Sequence, residues 1–131
     1  MEKQYLAKII ATDNEGLQMI SAYCAGAEVK ITGIKYLQKN KVFLLSLRRL
    51  KIETENEEKR VDSICKFEFV DNVKSKKIEQ YNQEQTLELI AMDYLKNDDN
   101  YEINLIFANN AYITLSTEVI EVTLEDQSEI I

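Results

Sequence analysis

The sequence predicts an α+β fold, a mainly antiparallel sheet of about eight strands forming a sandwich or a partly open barrel, with one helix after the first strand. Three observations carry that expectation. Only residues 12–27 repeat apolar side chains at helical spacing, and most other apolar stretches alternate with period two. The composition, 45% hydrophobic and 30% charged over 131 residues, suits a single folded domain, 1–131, with a core of its own.

The first strand is read in the apolar run from Tyr5 to Ala11. Thr12 and Glu15 then stand at capping-box spacing, where hydroxyl and carboxylate each satisfy a free backbone amide. Leu17, Ile20, Cys24 and Ala27 make one helical stripe, and Gly26 supplies a left-handed stop, so a helix is expected from Asp13 to Ala25. Beyond it Val29 and Ile31, then Ile34 and Tyr36, alternate around Gly33, and Lys39 to Lys41 form a turn. In "RVDSICKFEFV" the residues Val61, Ser63, Cys65, Phe67 and Phe69 share one face, and both phenylalanines are read as core. "TLELIAMDYL" and "YEINLIF" follow around an "NDDN" turn. Asn109 and Asn110 then offer the positive φ that a tight hairpin needs. Ile113 and Leu115 are out of phase with Ile120, Val122 and Leu124, so a bulge, bend or short helix is required near Thr117 to Val119.

Within "VFLLSLRRLKIE", Phe43, Leu45 and Leu47 share one face. Strict alternation would set Arg48 between Ser46 and Leu50 on the other, also apolar through Val42 and Leu44. A β-bulge at Arg48 and Arg49 would turn both toward solvent and continue the core through Leu50 and Ile52. Either a partly buried Arg48 pairs with a carboxylate such as Glu118 or Glu121, or two guanidiniums stand ready to grip an anion.

The net charge of −7 is unevenly placed: Lys30 to Lys77 holds thirteen basic and seven acidic residues, and the remainder three and sixteen. The bland reading of that split is mutual neutralisation in the folded chain; the sharper one is a polarised surface. With no histidine, a serine or cysteine nucleophile lacks its usual base, and zinc or haem ligation through histidine is excluded. Cys24 and Cys65 fall on apolar faces and read as inert core thiols. Asp98 and Asp99 lack the spacing of a calcium loop. "CKFEFV" has the alternating rings of an RNA-recognition strand without its glycine, and the net charge repels phosphate, so nucleic acid is not an expected partner. The longest uncharged stretch, Ile103 to Thr117, is shorter than the roughly 20 residues of a bilayer span. An N-terminal apolar run interrupted by Lys8 does not read as a secretory leader, and a cytoplasmic location is expected. No cofactor is expected.

Several stretches resemble DUF2948, an uncharacterised bacterial family of unknown function, over nearly the whole chain. They are "ATDNEGLQMISAYCAGAEVKITGIKYL", "LRRLKIE" with Arg49 and Glu53, "RVDSICKFEFVDNVKSKKI", and "INLIFANNAYITLSTEVIEVTLED" with Phe107, Glu118 and Asp126. The chain departs from that family at Asn109 and Asn110, at Lys77, and at Leu50 and Ile52, where aromatics are common. The resemblance implies a small, single-domain bacterial cytoplasmic protein and brings no activity. From the residues themselves the expected function is a non-enzymatic binding or adaptor module that engages an acidic protein partner, or itself, around Arg48, Arg49 and Lys51. The alternative is a small anionic-ligand barrel or an enzyme that holds its substrate with Arg48 and Arg49 and uses Glu118 or Glu121 as acid or base. Convergence of those side chains in a deep pocket separates the second from the first.

Overall fold

A computed structural model describes residues 6–51 and 59–127 of the protein. The mostly antiparallel sheet with one helix after its first strand is as expected, but among the described residues the strands number ten. They are β1 (Lys8–Ala11), β2 (Ala27–Lys30), β3 (Ile34–Leu37), β4 (Val42–Leu50), β5 (Arg60–Phe67), β6 (Val70–Lys76), β7 (Thr86–Asn97), β8 (Asn100–Phe107), β9 (Tyr112–Thr117) and β10 (Val122–Asp126). All belong to one sheet in the order β1-β10-β5-β4-β2-β7-β8-β9-β6, with β3 sharing the β2 side of β4. The excess over eight has a physical cause: segments that alternate continuously in sequence change partners partway. Through a 3-10 turn at Ile31–Gly33 the chain passes from β2, which pairs with β7 and the far end of β4, into β3, which pairs with the near end of β4. A Cβ on Gly33 would stand 3.0 Å from the Ser46 carbonyl oxygen, so the crossing needs glycine.

Two neighbouring corners bend the sheet. One runs from Phe67 to Val70 and the other from Thr117 to Val122, where the expected phase change is met by a bend without a helix. They are cross-linked by Glu68 N–H to the Glu121 carbonyl (3.0 Å) and Glu118 N–H to the Phe69 carbonyl (3.3 Å). Phe67 is buried, but Phe69, expected in the core, is 44% exposed at φ 58°. The turn demands a left-handed residue where period-two alternation predicts extended chain. Beyond the corner, Val70 N–H donates to the Lys41 carbonyl (2.8 Å) and the Tyr36 hydroxyl to the Val70 carbonyl (2.7 Å). The last strand of the sheet order is thereby brought back to the β3–β4 hairpin.

Helix α1 spans Asn14–Cys24. Its cap is Asp13 rather than Thr12: the Asp13 carboxylate accepts from Gly16 N–H at 2.8 Å, which places a negative charge at the positive end of the helix dipole. Leu17, Ile20 and Cys24 are fully buried. Ser21 and the helix exit serve β7, whose register shifts between Leu89 and Ala91. There the Ser21 hydroxyl accepts from Met92 N–H (2.9 Å) and Gly26, at φ 82°, donates to the Leu89 carbonyl (2.7 Å). The helix therefore takes over from β2 as the neighbour of β7, and its buried stripe joins one apolar cluster with Leu45, Phe67, Leu105 and Leu124. The hairpin between β8 and β9 turns through Asn109 and Asn110 at φ 66° and 62°, as expected.

The first turn of α1 lies so close to β1 that a Cβ on Gly16 would stand 2.8 Å from the Ala11 Cα. Gly16→Ala is expected to cost about 1–3 kcal/mol through overpacking, despite alanine's better helix propensity, and a urea melt with unchanged m-value checks it.

Candidate functional site

The paired arginines lie in a regular stretch of β4. Its pairing with β5 is unbroken from Phe43 opposite Phe67 to Leu50 opposite Arg60, so the expected β-bulge is absent. Alternation is simply maintained: Phe43, Leu45, Leu47 and Arg49 point inward, and Ser46 and Arg48 outward. Arg49, expected near solvent, is 0% exposed. Its Nε donates to Asp126 Oδ1 (2.9 Å) and its second terminal nitrogen to Oδ2 (2.8 Å). Asp126 also accepts from the Ser63 hydroxyl (2.7 Å) and Ala7 N–H (2.8 Å). Burial pushes the Asp126 carboxyl up, but the hydrogen bonds from Arg49, Ser63 and Ala7, with the guanidinium charge, outweigh it and hold the group below the ordinary aspartate value. The Tyr23 ring packs 5.2 Å from the Arg49 guanidinium carbon.

The remaining sequence-predicted residues do not gather around this pair. Arg48 is exposed and bonds across the strand pair to Asp62 at 3.1 Å, not to Glu118 or Glu121. It borders an open groove of about 470 Å³ shared with Glu28, Lys30, Thr32, Ser46 and Asp62. Two acids beside two cations leave that groove without a net positive field. Lys51 is half-buried, its N–H donating to the Lys59 carbonyl at 2.8 Å. Ile52 and Glu53 lie outside the described residues.

Glu118 and Glu121 sit at the corner beyond the opposite end of β4. Glu118 is 3.8 Å from Lys41, which pairs with Asp71 at 2.9 Å. The hydrogen bond to Asp71, that carboxylate's charge and the charge of Glu118 raise Lys41 above the ordinary lysine value. Glu121 is hydrogen-bonded to Glu68, which raises Glu121 and lowers its partner. Arg48 lies seven positions beyond Lys41, roughly 23 Å along the strand. A small substrate gripped by Arg48 therefore does not reach Glu118 or Glu121.

Between β3 and β6 the sheet leaves a cleft of about 310 Å³, whose lining includes Ile34, Tyr36, Phe43, Val73, Ile78 and Ile113. Its walls are the inward positions of two strands whose alternate positions carry Lys35 on β3 and Lys74 and Lys76 on β6. None of these lysines has an acidic partner among the described residues. The cleft and Asp126 were both missed in the sequence. A signal for Arg49 existed, since it continues the parity of Phe43, Leu45 and Leu47; for the cleft there was none, because its walls are far apart in the chain.

Among the described residues no group of three or more cysteine, aspartate or glutamate side chains is placed to hold a metal ion. Cys24 and Cys65 are buried free thiols. Burial pushes Cys24 up to about 12 and Cys65 well above the ordinary value, so neither is a thiolate nucleophile near neutrality. No helix of the described residues is long and apolar enough to cross a membrane.

A family described as a protein of unknown function, DUF2948, matches residues 7–131. No curated protein and no solved structure matches the chain.

Removing one member of the buried pair strands the other charge, so Arg49→Met or Asp126→Leu is expected to lose about 3–5 kcal/mol. The double variant should lose less than the sum of the two, as a double-mutant cycle in urea will read. Because the folded-state pKa of Asp126 is depressed, its contribution is present above the unfolded value near 3.9 and lost as pH falls through the lower folded value. The stability gap between the native protein and Asp126→Asn should therefore be constant near neutrality and shrink below about pH 4. A gap that stays constant to pH 2 would show that the carboxylate charge contributes nothing.

Proposed function

We propose that this chain, which belongs to the DUF2948 family, is a non-enzymatic protein-binding module of the cytoplasm, acting as one domain over residues 1–131. Its partner is acidic, and the contact is made by the basic segment Lys30 to Lys77. The carrying observation is that Lys35, Lys74 and Lys76 stand on the exposed faces of two strands that flank a mainly apolar cleft, with no acidic partner among the described residues. A partner that supplies carboxylates to lysines and apolar side chains to a cleft gains both steering and burial. Arg49 has no part in that contact, because its guanidinium is committed to Asp126. Arg48 and Lys51 can add only a peripheral contribution, Arg48 already being neutralised by Asp62. The separation of Arg48 from Glu118 and Glu121 counts against the enzymatic alternative.

The test is affinity capture from a lysate of the producing cell, with the native protein beside Lys35→Glu/Lys74→Glu/Lys76→Glu and beside Arg48→Glu. A protein partner identified by mass spectrometry should be retained by the native chain and by Arg48→Glu, lost by the triple variant, and released as salt rises past physiological strength. Retention of nothing by any of them, together with an Arg48-dependent rise in Tm on adding small anions, would establish the ligand-binding alternative in its place.

A further inference from the structure

We infer that the partner enters as an extended strand, alternately apolar and acidic, that pairs with the free edge of β6 and lowers its apolar side chains into the cleft. The inference rests on the protein-binding reading above and names what that site takes. Among the described residues β6 pairs only with β9, and β3 only with β4. Beyond Val70, whose amide and carbonyl are held by Lys41 and Tyr36, the β6 edge therefore presents backbone amides and carbonyls without a second strand partner, which is the template used when a peptide joins a sheet.

The two faces of such a strand are specified by the residues beside it. On the inner side the cleft is lined by Val73 of β6, by Ile34 and Tyr36 of β3 and by Ile78 and Ile113, with one polar point where Gln80 donates to the Ser75 hydroxyl at 3.3 Å. On the outer side Lys74 and Lys76 follow one another at the two-residue period of a strand, and Lys35 stands on β3 opposite. A strand laid along β6 would alternate with that same period, so acidic residues at every second position meet the lysines while the intervening residues turn inward. The two acids of the loop after β6, Glu79 and Glu84, follow the lysine pair in sequence. The cleft has a closed end, where the Tyr36 hydroxyl bonds the Val70 carbonyl and Lys41 is held by Asp71. That end sets the register at which an incoming strand must stop.

Edge lysines also serve to keep sheets from pairing with one another, and the experiment separates the two roles. The probe is a fluorescein-labelled ten-residue peptide alternating valine with glutamate, titrated by anisotropy at about 50 mM salt, with binding located by amide hydrogen exchange. Its controls are the valine–lysine counterpart and the same valine–glutamate peptide N-methylated at alternate amides. The expected result is saturable binding with new protection of those amides of Asp71–Lys76 that do not already bond β9. Affinity should fall at least about tenfold for either control and for Lys74→Glu/Lys76→Glu, whose unchanged Tm would show that folding is intact. Absence of binding at about 1 mM peptide, or equal binding of all three peptides, would overturn the strand and leave the lysines as edge protection. Protection appearing at the Arg48 groove instead would overturn the cleft while leaving a protein-binding module standing. If lysate capture with the native protein and with the triple variant alike retains nothing, the module itself is refuted.

Discussion

The buried ion pair of Arg49 and Asp126 organises the near half of the molecule. Arg49 comes from β4, Ser63 from β5, Asp126 from β10 and the Ala7 amide from the approach to β1, so four hydrogen bonds on one carboxylate join the four successive strands at this side of the sheet. Such a site tolerates few alternative registers. A slip of one residue in any of these strands would turn a charge into the apolar cluster without its counterion, which is far more costly than misplacing a leucine. The pair is best understood as a registration device, one that contributes specificity even where an apolar replacement could match its stability.

The far half follows from the corners. Because β5 passes into β6, and β9 into β10, through bends that are hydrogen-bonded to each other, the chain can cross from one side of the sheet to the other while the sheet stays continuous. That curvature returns β6 to the β3–β4 hairpin, where a backbone bond and the Tyr36 hydroxyl stop the approach before the strands zip together. The residual opening is thus a product of topology, and the strain of a phenylalanine at positive φ is stored at the bend that produces it.

What was legible in the sequence was local. The helical stripe of Leu17, Ile20 and Cys24, the stop at Gly26, the asparagine hairpin at Asn109 and Asn110, and the phase change before Val122 each have a cause within a few residues. Arg49 was obscured because charge was allowed to override period: the alternation of Phe43, Leu45 and Leu47 points straight to it, and only its partner, seventy-seven residues away, makes the position tolerable. Phe69 was misread for the converse reason, since alternation continues in the letters after the backbone has turned. Glu118 and Glu121 were grouped with the arginines on charge alone, whereas strand pairing sends them to the other end of β4. The cleft depends on which edges are left over once every strand has chosen a neighbour, and that is a property of the whole sheet.

Strand β1 pairs only with β10 among the described residues, and Ala7 is hydrogen-bonded to Asp126 across 119 positions of chain. During synthesis on a ribosome the first strand would therefore emerge long before its neighbour exists. The apolar face of α1, packed against β1 and β7, would wait with it, exposed to chaperones or to other nascent chains. Loop-closure entropy over that span also belongs to the slow class of folding problems. The same adjacency that delays assembly brings the two ends of the fold side by side, so a short linker joining them would let the polypeptide be opened elsewhere and begin with strands whose neighbours are already made.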